Sequence, residues 1–322
     1  MEFNKRYAEL REILINTLSP LVNNQYCIVD LPYHSNIGDT LIWQGEMEFL
    51  SQVQQKCISI SSQQTECLNI DDETIILFHG GGNLGELYRN HIDYLFSLIG
   101  RYPNNRIIVF PQTIYYKNNN ILEKDVAILS KHKDLHICVR DEYCHKILNG
   151  KINNLYLLPD MAFCIPLEFF EKYKVDKIRG SLFLKRVDGE LSENTGEITT
   201  DFVKDWPTFY HKLNDGTFIA KVLDNLCKLP IIGNWKIAKK MWDWWAFNVY
   251  RRDLIRIGTT FVKSYDPIYT TRLHVMILSL LCGKKINVID NSYGKNLNFV
   301  NTWLKDVDEV AICKKTRIQS WV

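Results

Sequence analysis

Arg272 and His274 stand one residue apart, just ahead of an apolar run from Val275 to Cys282 that stops at Gly283-Lys284-Lys285. Loop, apolar helix, glycine stop and then a short buried strand from Ile286 to Ile289 is the pattern these residues predict. It puts a permanent cation and a titratable imidazole at a helix start, where backbone N–H groups and the helix dipole already favour anions. A guanidinium can hold a carboxylate or phosphate by a two-pronged hydrogen bond, and an imidazole can give or take a proton. The pair suits an anionic substrate that must gain or lose a proton. An ion pair capping a helix would use the same two residues.

Other loops carry similar chemistry. The strand pattern Tyr26 to Pro32 runs into HSNIGD (34–39), where Gly38 permits a tight loop and Asp39 or Thr40 is expected to cap a helix. His34, Asn36 and Asp39 are more polar groups than a turn requires. Thr74 to His79 reads as a strand ending in Gly80-Gly81-Gly82-Asn83-Leu84-Gly85. Consecutive glycines cost chain entropy and mark a backbone that something approaches closely. The G-x-S-x-G elbow that would make this an esterase oxyanion loop is missing, as are the phosphate-loop and dinucleotide fingerprints. His136 to Arg140 ends a further strand in Arg140-Asp141-Glu142, so Arg140 either meets an anion or pairs with its own neighbours.

The elements that position these loops alternate. Strands at 57–60, 106–111 and 155–158, with a helical stretch near 120–132 and a first helix over 2–18, argue a parallel sheet covered on both faces. Beyond Pro166 the composition shifts, residues 188–201 are polar and loop-like, and a less regular α/β series follows. Ser181 to Leu184, Ile257 to Phe261 and Ile286 to Ile289 read as its strands. A chain of 322 residues suggests two domains, set here at 1–166 and 167–322. Their cleft is expected to hold Gly80 to Gly82 on one side and Arg272 on the other.

Net charge of +2 implies no nucleic-acid partner. The nine cysteines form no C-x-x-C pair, which argues against a disulfide framework or a metal site and for a reducing, cytoplasmic setting. The N-terminus patterns as an amphipathic helix rather than a signal peptide, and no run is long enough to span a membrane. Residues 235–252, WKIAKKMWDWWAFNVYRR, hold four of the eight tryptophans and five basic residues. Ala238, Met241, Trp242, Trp245 and Val249 would share one helical stripe, broadened by Trp244 and Phe247. Such a stripe suits either a core or contact with a membrane surface.

Taken together, HSNIGD (34–39), HGGGNLG (79–85), FPQT (110–113), VRDE (139–142), LPDMAF (158–163), LKRVDGE (184–190) and TTRLHVMILSLLCG (270–283) resemble the polysaccharide pyruvyl transferase family, in its order and over most of the chain. The resemblance implies two Rossmann-like domains facing a cleft, similar to GT-B glycosyltransferases. It implies phosphoenolpyruvate as donor; no metal-ligand cluster is visible in the sequence, and the chemistry demands neither a metal nor a separate cofactor. The implied acceptor is a sugar hydroxyl pair on a saccharide, free or lipid-linked, and the product a pyruvate ketal. By that resemblance His274, Arg272 and Asp39 are the expected catalytic residues. Arg140, Arg272, Arg186, Gly81, Gly82 and Asn83 are expected to bind the donor, and His34 and Asn36 the acceptor. Met161 stands where the family's Asp-Pro-Ala would have proline, which limits Asp160 to a structural expectation. A nucleotide-sugar glycosyltransferase or a non-catalytic membrane-associated assembly protein would share parts of this pattern.

Overall fold

A computed structural model describes residues 1–190, 198–209, 219, 222–223, 225–226 and 236–313. The first parallel sheet has the order β2-β1-β3-β5-β6-β7, with β4 lying alongside β5. Its strands are β1 (Tyr26–Val29), β2 (Cys57–Ile60), β3 (Ile75–Phe78), β4 (Gly81–Gly85), β5 (Ile107–Tyr115), β6 (Leu135–Val139) and β7 (Asn154–Leu157). The central strands are apolar along their whole length because both faces are covered. Alternate residues feed opposite layers. Ile28 and Leu77 join one apolar cluster, while Val29 and Phe78 join the other.

The second sheet is also parallel, in the order β12-β11-β10-β8-β9. It comprises β8 (Leu182–Leu184), β9 (Phe202–Lys204), β10 (Ile268–Thr270), β11 (Ile286–Val288) and β12 (Val310–Ile312). Both sheets place their first strand between the second and the third: β2-β1-β3 and β9-β8-β10. In such sheets the loops leaving the carboxyl ends at the reversal diverge, and a ligand crevice opens between them. The loops after β1 and β3 carry HSNIGD and the glycine run, and those after β8 and β10 carry Arg186 and Arg272.

Helices α1 (Phe3–Leu18), α2 (Ile37–Leu50), α3 (Arg89–Arg101), α4 (Asn119–Leu129) and α5 (Glu142–Leu148) accompany the first sheet. Helix α2 is buried almost throughout, with Ile42, Trp43 and Phe49 fully inside. Its neighbours are the short turn Met161–Cys164 and two helices from the second half of the chain, α7 (Arg251–Lys263) and α8 (Leu273–Leu281). Glycine makes those approaches possible. A Cβ on Gly45 would collide with the carbonyl oxygen of Met161, and one on Gly258 with Ile37. A single apolar cluster accordingly runs from Leu10 and Trp43 to Leu278 and Val288.

Three expectations are corrected. Asn36, not Asp39 or Thr40, caps α2, its side chain accepting from the Gly38 N–H at 3.0 Å; Asp39 lies in the first turn. Residues 257–261 are not a strand but lie within α7. Arg251, Leu254, Ile255, Gly258, Thr259 and Val262 are buried at helical spacing, and that amphipathic period overrides the local β preference of Ile257, Thr259, Thr260 and Phe261. The third concerns the tryptophan-rich segment. Helix α6 (Lys236–Trp245) continues through a π-turn (Ala246–Tyr250) into α7, and its buried stripe is Trp242, Ala246 and Tyr250.

Trp242 stacks on Tyr33 at 5.9 Å and is 2 % exposed, and Trp245 is half-buried against Tyr250. Met241, of the expected stripe, is 66 % exposed. Asp243 fixes this register by accepting from Thr65 Oγ1 at 2.5 Å and Tyr33 OH at 2.9 Å. Membrane contact through Trp242 and Trp245 requires both outside, so that expectation fails at Trp242. No helix of the described residues is long and apolar enough to cross a membrane. Trp235 and residues 191–197 of the 188–201 loop lie outside the described residues.

Candidate active site

A cavity of about 350 Å³ opens where the loops from both sheets meet. His34, Asn36, Asp39, Gly82 and Asn83 line it from one half of the chain, and Arg186, Arg272 and His274 from the other. Gly82 and Arg272, distant in sequence, therefore share one chamber. Two expected residues are not on its wall: Arg140 is fully buried behind it, and Gly81 supports the glycine strand.

The glycine strand is held from beneath. Glu46, fully buried on α2, accepts from the Gly80 N–H at 2.8 Å and from His79 Nδ1 at 2.8 Å. Gln112 donates to the His79 carbonyl at 2.8 Å and accepts from the Asn83 N–H at 3.3 Å. Thr113, its neighbour in FPQT, accepts from Arg140 Nε at 2.7 Å. This motif binds the frame of the site rather than a ligand.

Asp160 joins the two halves. Its Oδ2 accepts from Arg140 Nη1 at 2.5 Å and lies 3.3 Å from His274 Nε2, while Oδ1 accepts from the Ala162 N–H at 3.0 Å. Burial alone would raise this carboxyl, but His274 and Arg140 outweigh it and hold Asp160 well below the usual range. Burial lowers the His274 imidazole despite Asp160, so His274 rests neutral at pH 7. Nε2 lies against both Asp160 and Arg140 Nη1, the latter at 3.4 Å, so Nδ1 is the nitrogen left for a substrate. Gly38 makes room for it: a Cβ there would come 2.6 Å from Nδ1. Asp160, expected to be only structural, thus orients the expected catalytic histidine.

Asp39 accepts from Asn36 Nδ2 at 2.7 Å and lies 3.6 Å from His34 Nε2. Burial would raise its carboxyl, yet His34 and His274 hold it below its ordinary value.

The arginines of the second half are already engaged. Arg272 Nε and Nη2 donate to the buried Asp205 at 2.5 and 2.6 Å, and Nη2 also reaches Asp188 at 3.1 Å. Arg186 gives Nε and Nη2 to Asp188 and Nη1 to Glu190 at 2.8 Å. The two-pronged grip expected of Arg272 on an anion is made on Asp205 instead. A buried guanidinium requires a carboxylate partner, and β9 ends at the position that supplies one. Only Nη1 of Arg272 is without a hydrogen bond among the described residues.

Several wall residues carried no signal in the sequence. Trp206 and Phe209 form an aromatic face, with the Arg272 guanidinium 5.3 Å from the Phe209 ring centre. His91 pairs with Asp30 at 2.8 Å, and Asp30 adopts a φ of 63° at the end of β1. Lys295 enters from the start of α9 (Lys295–Phe299), with Nζ 3.7 Å from Glu190. A lone lysine in the SYGKN stretch gives no periodic or motif cue. Tyr88 and Tyr293, which donate to Glu190 at 3.1 and 2.8 Å, are equally silent.

The family model described as polysaccharide pyruvyl transferase matches residues 36–293. The chain belongs to the polysaccharide pyruvyl transferase family. EpsO of Bacillus subtilis, whose name proposes a pyruvyl transferase, is 31% identical over 284 residues, covering 86% of this chain and 85% of that protein. Pyruvyl transferase 1 of Schizosaccharomyces pombe is 28% identical, covering 86% of this chain and 69% of its own. The fold is also that of a functionally uncharacterised Klebsiella pneumoniae protein, KP1_0663, with a TM-score of 0.64 at 19% identity, covering 95% of this chain and 98% of that one. Membership places the matched span of this pyruvyl transferase family member from the capping loop of α2 to the loop that precedes Lys295.

Proposed function

We propose that the protein transfers the pyruvyl group of phosphoenolpyruvate to two hydroxyls of a saccharide, forming a cyclic pyruvate ketal. The observation that carries this reading is His274, oriented by the buried Asp160, on the wall of a cavity that also holds the cationic side chains of Arg186, Arg272 and Lys295. The two-domain, GT-B-like description with a boundary near residue 166 belongs to the same proposal and is supported by the two parallel sheets.

The reaction needs one hydroxyl to add to C2 of the donor while the methylene carbon takes a proton and becomes methyl. The second hydroxyl then adds to C2 as the bond to the phosphate oxygen breaks. Of the two hydroxyl protons, one ends on the methyl group and the other on phosphate. His274, neutral at rest, is suited to take a hydroxyl proton at Nδ1, and Asp160 stabilises the imidazolium that results. Passing that proton on to the departing phosphate would return it to its resting form. Asp39, held ionised, is the weaker base and suits a hydrogen bond from the acceptor hydroxyl, beside Asn36 and His34. Arg272 keeps Nη1 for the donor carboxylate, its plane fixed by Asp205, and Phe209 and Trp206 offer an aromatic face to a sugar ring.

The test is to incubate the protein with phosphoenolpyruvate and candidate saccharides and follow phosphate release. Phosphoenolpyruvate should also raise the unfolding temperature. Protection by nucleotide sugars with none by phosphoenolpyruvate would replace this reading with a glycosyltransferase.

A further inference from the structure

We propose that the outer face of α6 and α7 is a docking surface for an anionic lipid bilayer: Ile237, Met241 and Trp244 enter the lipid, and the lysines and arginines beside them meet its headgroups. This face is not the one that buries Trp242, and it stands independently of the donor reading above.

The apolar part of the face is bare. Ile237, Met241 and Trp244 are 74 %, 66 % and 64 % exposed, and steps of four and three residues put them on one stripe of α6. Single exposed apolar residues are ordinary, but a stripe of three large ones calls for a covering. The line continues past α6. The π-turn adds one residue to its turn, so the exposed Val249 follows Trp244 by five, and the exposed Arg252 and Arg256 follow at three and four along α7. The inner side of the same helix is firmly held, with Trp242 stacked on Tyr33 and Asp243 accepting from Thr65 and Tyr33. Tyr33 precedes His34 of the cavity wall, so the helix is fastened to a loop of the active site.

Charge decides what covers the stripe. Lys236 and Lys240 border it, both exposed, and like Arg252 they make no ion pair among the described residues. The acids of the helix are engaged elsewhere: Asp243 faces inward, and Asp253 pairs with Arg256 at 3.2 Å. Beyond Arg256 a second cavity, of about 510 Å³, opens beside α7. Lys174, Lys177 and Arg179 line it with Asp176 as the one carboxylate among the described residues, and Ile257 and Phe261 supply its apolar part. An apolar stripe bordered by unpaired cations, leading to a basic cavity with apolar walls, matches acyl chains lying beneath anionic headgroups. The amphipathic indole of Trp244 suits that boundary layer. A second copy of this chain would instead bring the same cations against these, and like charges repel.

Flotation of the full chain with lipid vesicles tests this face. The parent should bind vesicles of phosphatidylglycerol and phosphatidylcholine in equal parts, bind phosphatidylcholine alone at least tenfold more weakly, and be released as salt is raised. Met241→Ser/Trp244→Ser should lower the affinity at least tenfold, and Lys174→Gln/Lys177→Gln severalfold. Both variants should keep the parent's unfolding temperature, because all four side chains are exposed. No binding of the parent to the anionic vesicles, parent-like affinity in Met241→Ser/Trp244→Ser, or equal binding to the neutral vesicles overturns the docking face. Self-association that requires Met241 and Trp244, without vesicle binding, overturns it too and makes the stripe a contact between copies. Vesicle binding that requires both residues, in a protein that releases no phosphate from phosphoenolpyruvate, supports the docking face and removes only the donor reading.

Discussion

The two cationic walls of the cavity are built on opposite plans. On one wall Arg186 and Arg272 face Asp188, Glu190 and Asp205, and nearly every guanidinium nitrogen is engaged. Behind the other, Arg140 gives Nη1 to Asp160 and keeps Nη2 open among the described residues, while Lys295 on the wall stands 3.7 Å from Glu190 without a hydrogen bond among those residues. Arginine type alone does not distinguish the plans; the number of carboxylates per cation does. A guanidinium closed by acids is a strut that fixes the geometry of its wall, and one with a spare N–H is a hook for an anion.

The largest expected effect lies where the walls meet. His274→Gln keeps a hydrogen-bonding group but loses the titrating nitrogen, so turnover should fall by about 10²- to 10⁴-fold. The KM for phosphoenolpyruvate should move only a few-fold, because the anion hooks remain. Steady-state phosphate release measures both, and parent-like turnover would exclude His274 from proton transfer.

The strut wall is tested by stability. Asp205 is fully buried, so Asp205→Asn leaves Arg272 charged and poorly matched, at a cost of about 3–5 kcal/mol in urea unfolding. The Asp188 side chain is 39% exposed, and Asp188→Asn should cost less than about 1 kcal/mol. Equal losses would mean that Arg272 is not held chiefly by Asp205.

Acid separates the same wall further. Burial would raise Glu190, but Lys295 and Arg186 outweigh it and hold its carboxyl down to about 2, below its ordinary 4.5. A depressed carboxyl stabilises the fold above its unfolded pKa and loses that contribution as pH falls toward the folded value. The parent should therefore exceed Glu190→Gln by about 2 kcal/mol at pH 5 and above, with the gap shrinking toward pH 2. A gap independent of pH between 5 and 3 would show that the charge of Glu190 is not what matters.

The smallest effect sharpens the hook wall. In Gly82→Ala the new methyl competes with Lys295 Nζ, the far end of a flexible side chain, so the fold should lose less than about 1 kcal/mol. A loss of several kcal/mol in urea unfolding would show that Lys295 cannot give way to the methyl.

The sequence by itself determined the class of fold and the loops that carry the chemistry. Apolar runs ending in HSNIGD, the glycine run, VRDE and TTRLH follow from chain-local periodicity and backbone constraint, and such signals need no knowledge of distant partners. Its limits are visible at Ile257 to Phe261, where local β preference gave way to the amphipathic burial of a whole helix. They are visible again at Trp242, which Tyr33 covers from the other half of the chain. Tertiary structure alone decided which polar groups meet: Arg272 with Asp205, His274 with Asp160, and Lys295 with Glu190. Those pairings join residues far apart in sequence at the carboxyl ends of two sheets. Charge and hydrogen bonding act over a few ångströms of space, and only the packed fold sets those distances.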